Sequence, residues 1–200
     1  MASDHVDRIQ QEWFRERPDV DVRPQGVIGR LHRLALALTG EITEVYREHG
    51  LGEGEFDVLA ALRRAGEPYE RAPGDLAAHT MVTTGAMTKR VDRLERAGLV
   101  TRRPSAEDGR GRVVALTPRG REAIDAAFTA HMANERRLLD LLGPEEDAAE
   151  LERLLRRWLA ALDRGAGSVR FDAEVAGDPG RSPGEIRPAG DSTSRGRAAF

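Results

Sequence analysis

Between Thr84 and Gly98 the chain carries Thr, Lys and Arg at spacings that suit contact with a polyanion. On a helix turning about 100° per residue, Met87, Val91 and Leu94 fall within about 60° of one another, while Thr88, Lys89, Asp92 and Arg96 lie on the far side. Such a helix can bury one edge and show the other to base edges and phosphates in a DNA major groove. Thr83 and Thr84 are placed to cap its start, and with Thr88, Lys89 and Arg93 they are the expected DNA contacts along it. Arg110 and Arg112 follow at the tip of a basic hairpin, and Arg is favoured by the negative potential of a minor groove. A solvated basic loop is the plainer reading of that hairpin taken alone; the preceding helix weighs against it. Arg90 differs from Lys89 and Arg96 because it stands only about 70° from the apolar centre of its helix. It points partly inward, where a guanidinium needs an anionic partner. Asp57 is one candidate and a bound anion is the other.

The elements that must position these groups follow from periodicity. A short helix runs from Asp4 to about Arg17 through Val6, Ile9, Trp13 and Phe14, and Pro18 to Pro24 reads as a linker. Val27, Leu31, Leu34, Leu38, Ile42 and Val45 make a stripe along a helix too long for one small domain to cover, so part of it is expected to face a partner subunit. Helices over Glu53 to Arg64 and Pro73 to His79 precede the one that begins at Thr84, giving a helix, a turn and a second helix. Leu99 to Arg103 and Arg112 to Leu116 are β-type runs joined across Asp108-Gly109. Thr117-Pro118 opens a helix that Gly143 ends, and Pro144 to Asp147 starts the last one, continuing to Asp163. From Arg164 the chain has seven Gly, three Pro and four Ser in 37 residues, with almost no apolar pattern, and a disordered tail is expected. The expected organisation is an extension over 1–24, a main domain over 25–163 and a tail over 164–200.

With 40% apolar but only 4% aromatic residues, one mainly helical core is expected. The net charge of −3 is unevenly spread: residues 71–121 hold eleven Lys and Arg against five Asp and Glu, a local +6 that leaves −9 elsewhere. One basic face on an acidic body steers a single surface toward an anionic partner.

The run from Thr84 to Val100, containing Met87-Thr88-Lys89-Arg90-Val91-Asp92-Arg93-Leu94-Glu95-Arg96-Ala97-Gly98-Leu99, then Arg102, Asp108-x-Arg110 and Leu116-Thr117-x-x-Gly120, resembles the recognition helix and wing of the MarR family. The likeness extends over about residues 25–163. It implies a mainly α winged helix-turn-helix with a β-hairpin wing, dimerising through its N- and C-terminal helices. Four positions, Trp13, Asp57, Arg90 and Arg102, further resemble those of the urate-responsive branch, which has an extra N-terminal helix bearing a Trp. That resemblance implies an effector site in which Trp13 offers a flat face, Arg90 and Arg102 offer forked donors to anionic oxygens, and Asp57 accepts ring N–H groups. Each has a bland alternative: Trp13 as a core anchor, Asp57 as an N-terminal helix charge.

These readings predict a ligand-responsive DNA-binding transcriptional regulator, a repressor released from a palindromic operator by a planar anionic metabolite such as urate, another purine or a small organic acid. The alternative is a constitutive DNA-binding protein of the same fold in which Arg90 and Asp57 form only a structural ion pair. The expected partners are an operator duplex, a second copy of the chain and a small anionic effector, with no membrane and no cofactor. An enzyme is not expected, since no nucleophile elbow, phosphate loop or Ser/His/Asp set has local support. The absence of Cys excludes thiol chemistry and a disulfide framework. His5, His32, His49, His79 and His131 include no pair at metal-binding helical spacing, so no metal is expected, and His32 and His131 are left as candidates for pH sensitivity. Asp4, Asp7 and Arg8 interrupt any apolar run near the start, and a cytoplasmic location is the expectation.

Overall fold

The computed structural model describes residues 3–80, 84–104 and 111–165. Its elements are α1 (His5–Glu16), α2 (Arg23–Glu48), α3 (Glu53–Arg63), β1 (Glu70–Arg71), α4 (Pro73–Thr80), α5 (Thr84–Arg96), β2 (Val100–Pro104), β3 (Arg112–Leu116), α6 (Pro118–Asp140) and α7 (Glu145–Gly165). This is a mainly helical fold with a three-stranded antiparallel sheet in the order β1-β3-β2. The hairpin β2–β3 was expected from its two β-type runs and the Asp108-Gly109 turn signal between them. β1 was not, because two residues carry no period; it is recruited as Glu70 and Arg71 pair with Ala115 and Val114.

The core is built around α3. Phe56, Val58, Leu59, Ala60, Ala61 and Leu62 are all buried, so this helix is apolar around most of its circumference and must be covered on several sides. Tyr46 of α2, Leu76 of α4, Met87, Val91 and Leu94 of α5, Val100 and Val114 of the sheet, and Ile124 and Ala127 of α6 cover it. The buried edge of α5 consists of the three residues that its period selected.

α1 is attached differently. Asp4 caps its N-terminus, accepting from the backbone N–H of Val6 and Asp7, and the Asp7 carboxylate accepts from the Asp4 N–H in return. Arg30 of α2 then donates to Asp4 at 2.8 Å and to Asp7 at 2.6 Å. Only Val6 of this helix is buried, and Gly29 of α2 leaves the space it occupies. α2 spans 26 residues, roughly 39 Å at 1.5 Å per residue. It buries only Tyr46 and leaves Val27, Ile28, Leu34 and Leu36 exposed, as α6 leaves Phe128 and Leu139 and α7 leaves Leu154, Trp158, Leu159 and Leu162. Ile28, Leu31 and His32 face Leu155, Trp158, Leu159 and Leu162 across an apolar groove of about 230 Å³. No described helix is long and apolar enough to cross a membrane.

The wing is locked to α6 by Thr117, whose hydroxyl donates to the Gly98 carbonyl at 2.8 Å and accepts from the Gly120 N–H at 2.9 Å. Gly120 is required there, since a Cβ would stand 1.8 Å from the Leu99 carbonyl oxygen. Backbone cannot yield as a flexible side chain can. Gly120→Ala should therefore cost about 3 kcal/mol or more, lowering Tm by roughly 6 °C or more in a thermal melt; an unchanged Tm would show that α6 is free to shift.

Candidate nucleic-acid interface and anion site

Burial of Met87, Val91 and Leu94 turns the opposite side of α5 outward, and Thr88, Lys89, Arg93 and Arg96 are exposed there. Thr84 opens the helix. Arg112 is exposed at the start of β3, on the strand that leads away from the hairpin tip. Thr83 and Arg110, also expected at the DNA surface, lie outside the described residues, as does the tail from 166 onward. Arg93 is held by α3, its Nε lying 3.3 Å from the half-buried Glu55 carboxylate.

Arg90 leaves the outward row and folds toward α3, as its angle predicted. It lies over the backbone of Gly54, where an added Cβ would come within 2.1 Å of the guanidinium carbon. The absence of a side chain at Gly54 makes the slot. Arg90 is half-buried, and among the described residues no carboxylate forms an ion pair with it. Asp57, one turn along α3 from Gly54, faces it without pairing. Burial pushes the Asp57 carboxyl above the ordinary carboxylate range and the nearby Glu53 adds to this; Arg90 and Arg64 pull the other way without offsetting it. Burial also pushes the Tyr46 hydroxyl up to about 12, with Asp57, Glu135 and Glu53 contributing. Tyr46 stacks on Phe56 with ring centroids 4.0 Å apart, and the His131 ring lies 5.3 Å from each. Asp57 thus acts on the Tyr46 end of an aromatic cluster, and Arg90, on the outward-facing helix, acts on Asp57 without forming an ion pair among the described residues.

The other two residues of the expected site are elsewhere. Trp13 is 50% exposed and lines a cleft of about 360 Å³ with Arg17, Val20, Asp21, Val22, Pro24 and Gln25. Asp57, Arg90 and Arg102 are not among the residues that line this cleft. Arg102, on β2, has both guanidinium ends engaged by Asp92 and Glu95 of α5. The sequence reading had placed Asp92 simply on the outward side. The signal for this pairing was present: Gly98 turns the chain back, bringing residue 102 over the last two turns of the helix it has just left.

A profile of the MarR family matches residues 49–111. PecS of Dickeya dadantii, an HTH-type transcriptional regulator, is 40% identical over 154 residues, which cover 76% of this chain and 91% of that protein. This chain belongs to the MarR family. Its fold agrees with solved members: a mutant of MarR from E. coli complexed with operator DNA superposes with a TM-score of 0.57 at 25% identity, covering 78% of this chain and 99% of that one. Rv2887 of Mycobacterium tuberculosis, solved with p-aminosalicylic acid, gives a TM-score of 0.51 at 29% identity, covering 64% and 94%. The chain is a winged helix-turn-helix transcriptional regulator, not an enzyme, with its small antiparallel sheet as the wing.

The raised Asp57 pKa carries a stability consequence. A carboxyl whose folded pKa exceeds its unfolded one binds more protons when folded, so its contribution is most favourable below the unfolded pKa and is lost as pH rises through the folded value. Asp57→Asn removes a desolvated charge that Arg90 does not neutralise. The variant should melt above the parent at pH 7, with the gap closing as pH falls from the raised value of the folded protein down to the ordinary carboxylate range; a lower Tm at pH 7 would mean that Arg90 and Asp57 form a stabilising pair.

Proposed function

We propose that this MarR-family regulator is a dimeric repressor that grips a pseudo-palindromic operator and lets go when a planar anion enters between Asp57 and Arg90. The observation that carries the reading is Arg90. It is a half-buried cation on the recognition helix itself, flat against the Gly54 backbone, with no carboxylate paired to it among the described residues. A planar acid can supply oxygens to its fork and a ring N–H to the Asp57 carboxylate, or an oxygen once Asp57 is protonated. The p-aminosalicylic acid held by Rv2887 is a planar aromatic carboxylate and supports this ligand class. A ligand that draws on Arg90 also moves the neighbouring Lys89, which faces the groove.

The dimer rests on the exposed apolar residues of α2, α6 and α7, which one copy of the chain leaves uncovered. A two-fold axis through that face would set two recognition helices against half-sites about one helical turn apart. The domain plan remains an N-terminal extension over 1–24, a DNA-binding and dimerising unit over 25–163 and a tail beyond it. Repression and a cytoplasmic location follow from this reading.

With a duplex selected from genomic fragments, Lys89→Ala and Arg110→Ala should weaken binding without loss of folding, and each should make the plot of log affinity against log salt shallower. Unchanged affinity and slope in both would move the DNA surface elsewhere. Urate, xanthine, aconitate and p-aminosalicylate, titrated into that complex, should include at least one that weakens it by about 5–150-fold, the usual span of such coupling. The response should vanish in Arg90→Ala and Asp57→Ala, and in Gly54→Ala, whose methyl expels Arg90 from its slot. Normal release in all three variants would overturn the site.

A further inference from the structure

Arg102 poses a question that the effector reading leaves open. Its guanidinium is forked between Asp92 and Glu95, and its backbone N–H donates to the same Glu95 carboxylate at 3.1 Å. The side chain is 24% exposed, less than either of its partners. It stands in the middle of β2, the strand that leaves the recognition helix, and all of its charge is spent on that helix.

The need for it is electrostatic and mechanical. A DNA duplex presents one negative charge per about 1.7 Å of axis, so two carboxylates on the helix that reads it work against binding. Lys89, Arg93 and Arg96 share α5 with Asp92 and Glu95, and Arg93 is already drawn to Glu55. Without a counter-cation the outward side of α5 would hold nearly balanced charge. Arg102 neutralises the acidic pair from the rear. Because it sits on β2, the same contact also sets the angle between the strand and the helix. Two carboxylates from successive turns, a forked cation and a strand N–H form a brace that a lysine, with a single point charge, reproduces only in part.

We propose that Arg102 is a positioning residue for operator binding, a strut that silences Asp92 and Glu95 and fixes the wing to the recognition helix, and that it contacts neither DNA nor effector. The wing and helix then dock as one rigid reader.

The inference rests on α5 reading DNA, but not on the effector site. The genomic duplex defined above serves as probe. Arg102→Ala should weaken binding by about tenfold or more, while the salt slope stays that of the parent because no phosphate contact is lost. Arg102→Lys should recover part of the affinity. Combining Arg102→Ala with Asp92→Asn and Glu95→Gln should recover more, since the uncompensated charges are then gone. Thermal melts of all variants show whether the fold is kept, and the triple variant, free of unpaired carboxylates, keeps the test open if Arg102→Ala unfolds. A shallower slope in Arg102→Ala would make it a phosphate contact, and unchanged affinity, or no recovery in the triple variant, would remove the strut. If Lys89→Ala is also silent, the DNA face itself is misplaced; if Lys89→Ala weakens binding and Arg102→Ala does not, only the strut fails.

Discussion

The whole arrangement depends on the burial of α3. A helix with Val58, Leu59, Ala60, Ala61 and Leu62 buried in succession has no side that water can wet at low cost, so other elements must close around it. α5 supplies one wall with Met87, Val91 and Leu94. This contact decides which way the rest of α5 looks: three apolar residues on one edge place Lys89 and Arg96 outward and leave Arg90 at the margin. Function on this helix is thus set by rotation about its axis, and the rotation is set by packing.

At that margin the protein accepts an electrostatic cost. Asp57 is partly desolvated with its charge incompletely answered, and Arg90 lies over bare backbone in place of an acid partner. Elsewhere the same helices pair their charges closely, as with Glu55 and Arg93 or Arg63 and Asp125. The contrast locates the place where the fold is not optimised for its own stability, which is where binding sites are expected.

Much of this was legible in the sequence. Each helix appeared within a few residues of where its period placed it, because Pro at the first turn and Gly after the last turn are local signals, as at Thr117-Pro118 and Gly143; α2 nevertheless begins at Arg23, inside the stretch read as a linker, and α6 ends at Asp140, just before Gly143. The inward turn of Arg90 followed from its angle alone. What could not be read was long-range. β1 exists only because β3 offers it an edge, and Gly54 matters only because Arg90 arrives there from a helix thirty-odd residues downstream. Arg102 was grouped with the effector residues by family likeness, whereas its actual neighbours are fixed by a turn that reverses the chain. Trp13 was grouped in the same way and lines a different cleft of the single chain.

The clamp on α1 ties two processes that are usually separate. A helix of 12 residues is too short to persist alone in water. Asp4 and Asp7 close the capping box that starts it, and the same two carboxylates hold Arg30 of α2. Coiling and docking therefore draw on one set of atoms, and neither is complete without the other. Losing either contact therefore weakens the other, and Trp13 rides on the helix that these shared atoms both start and fasten.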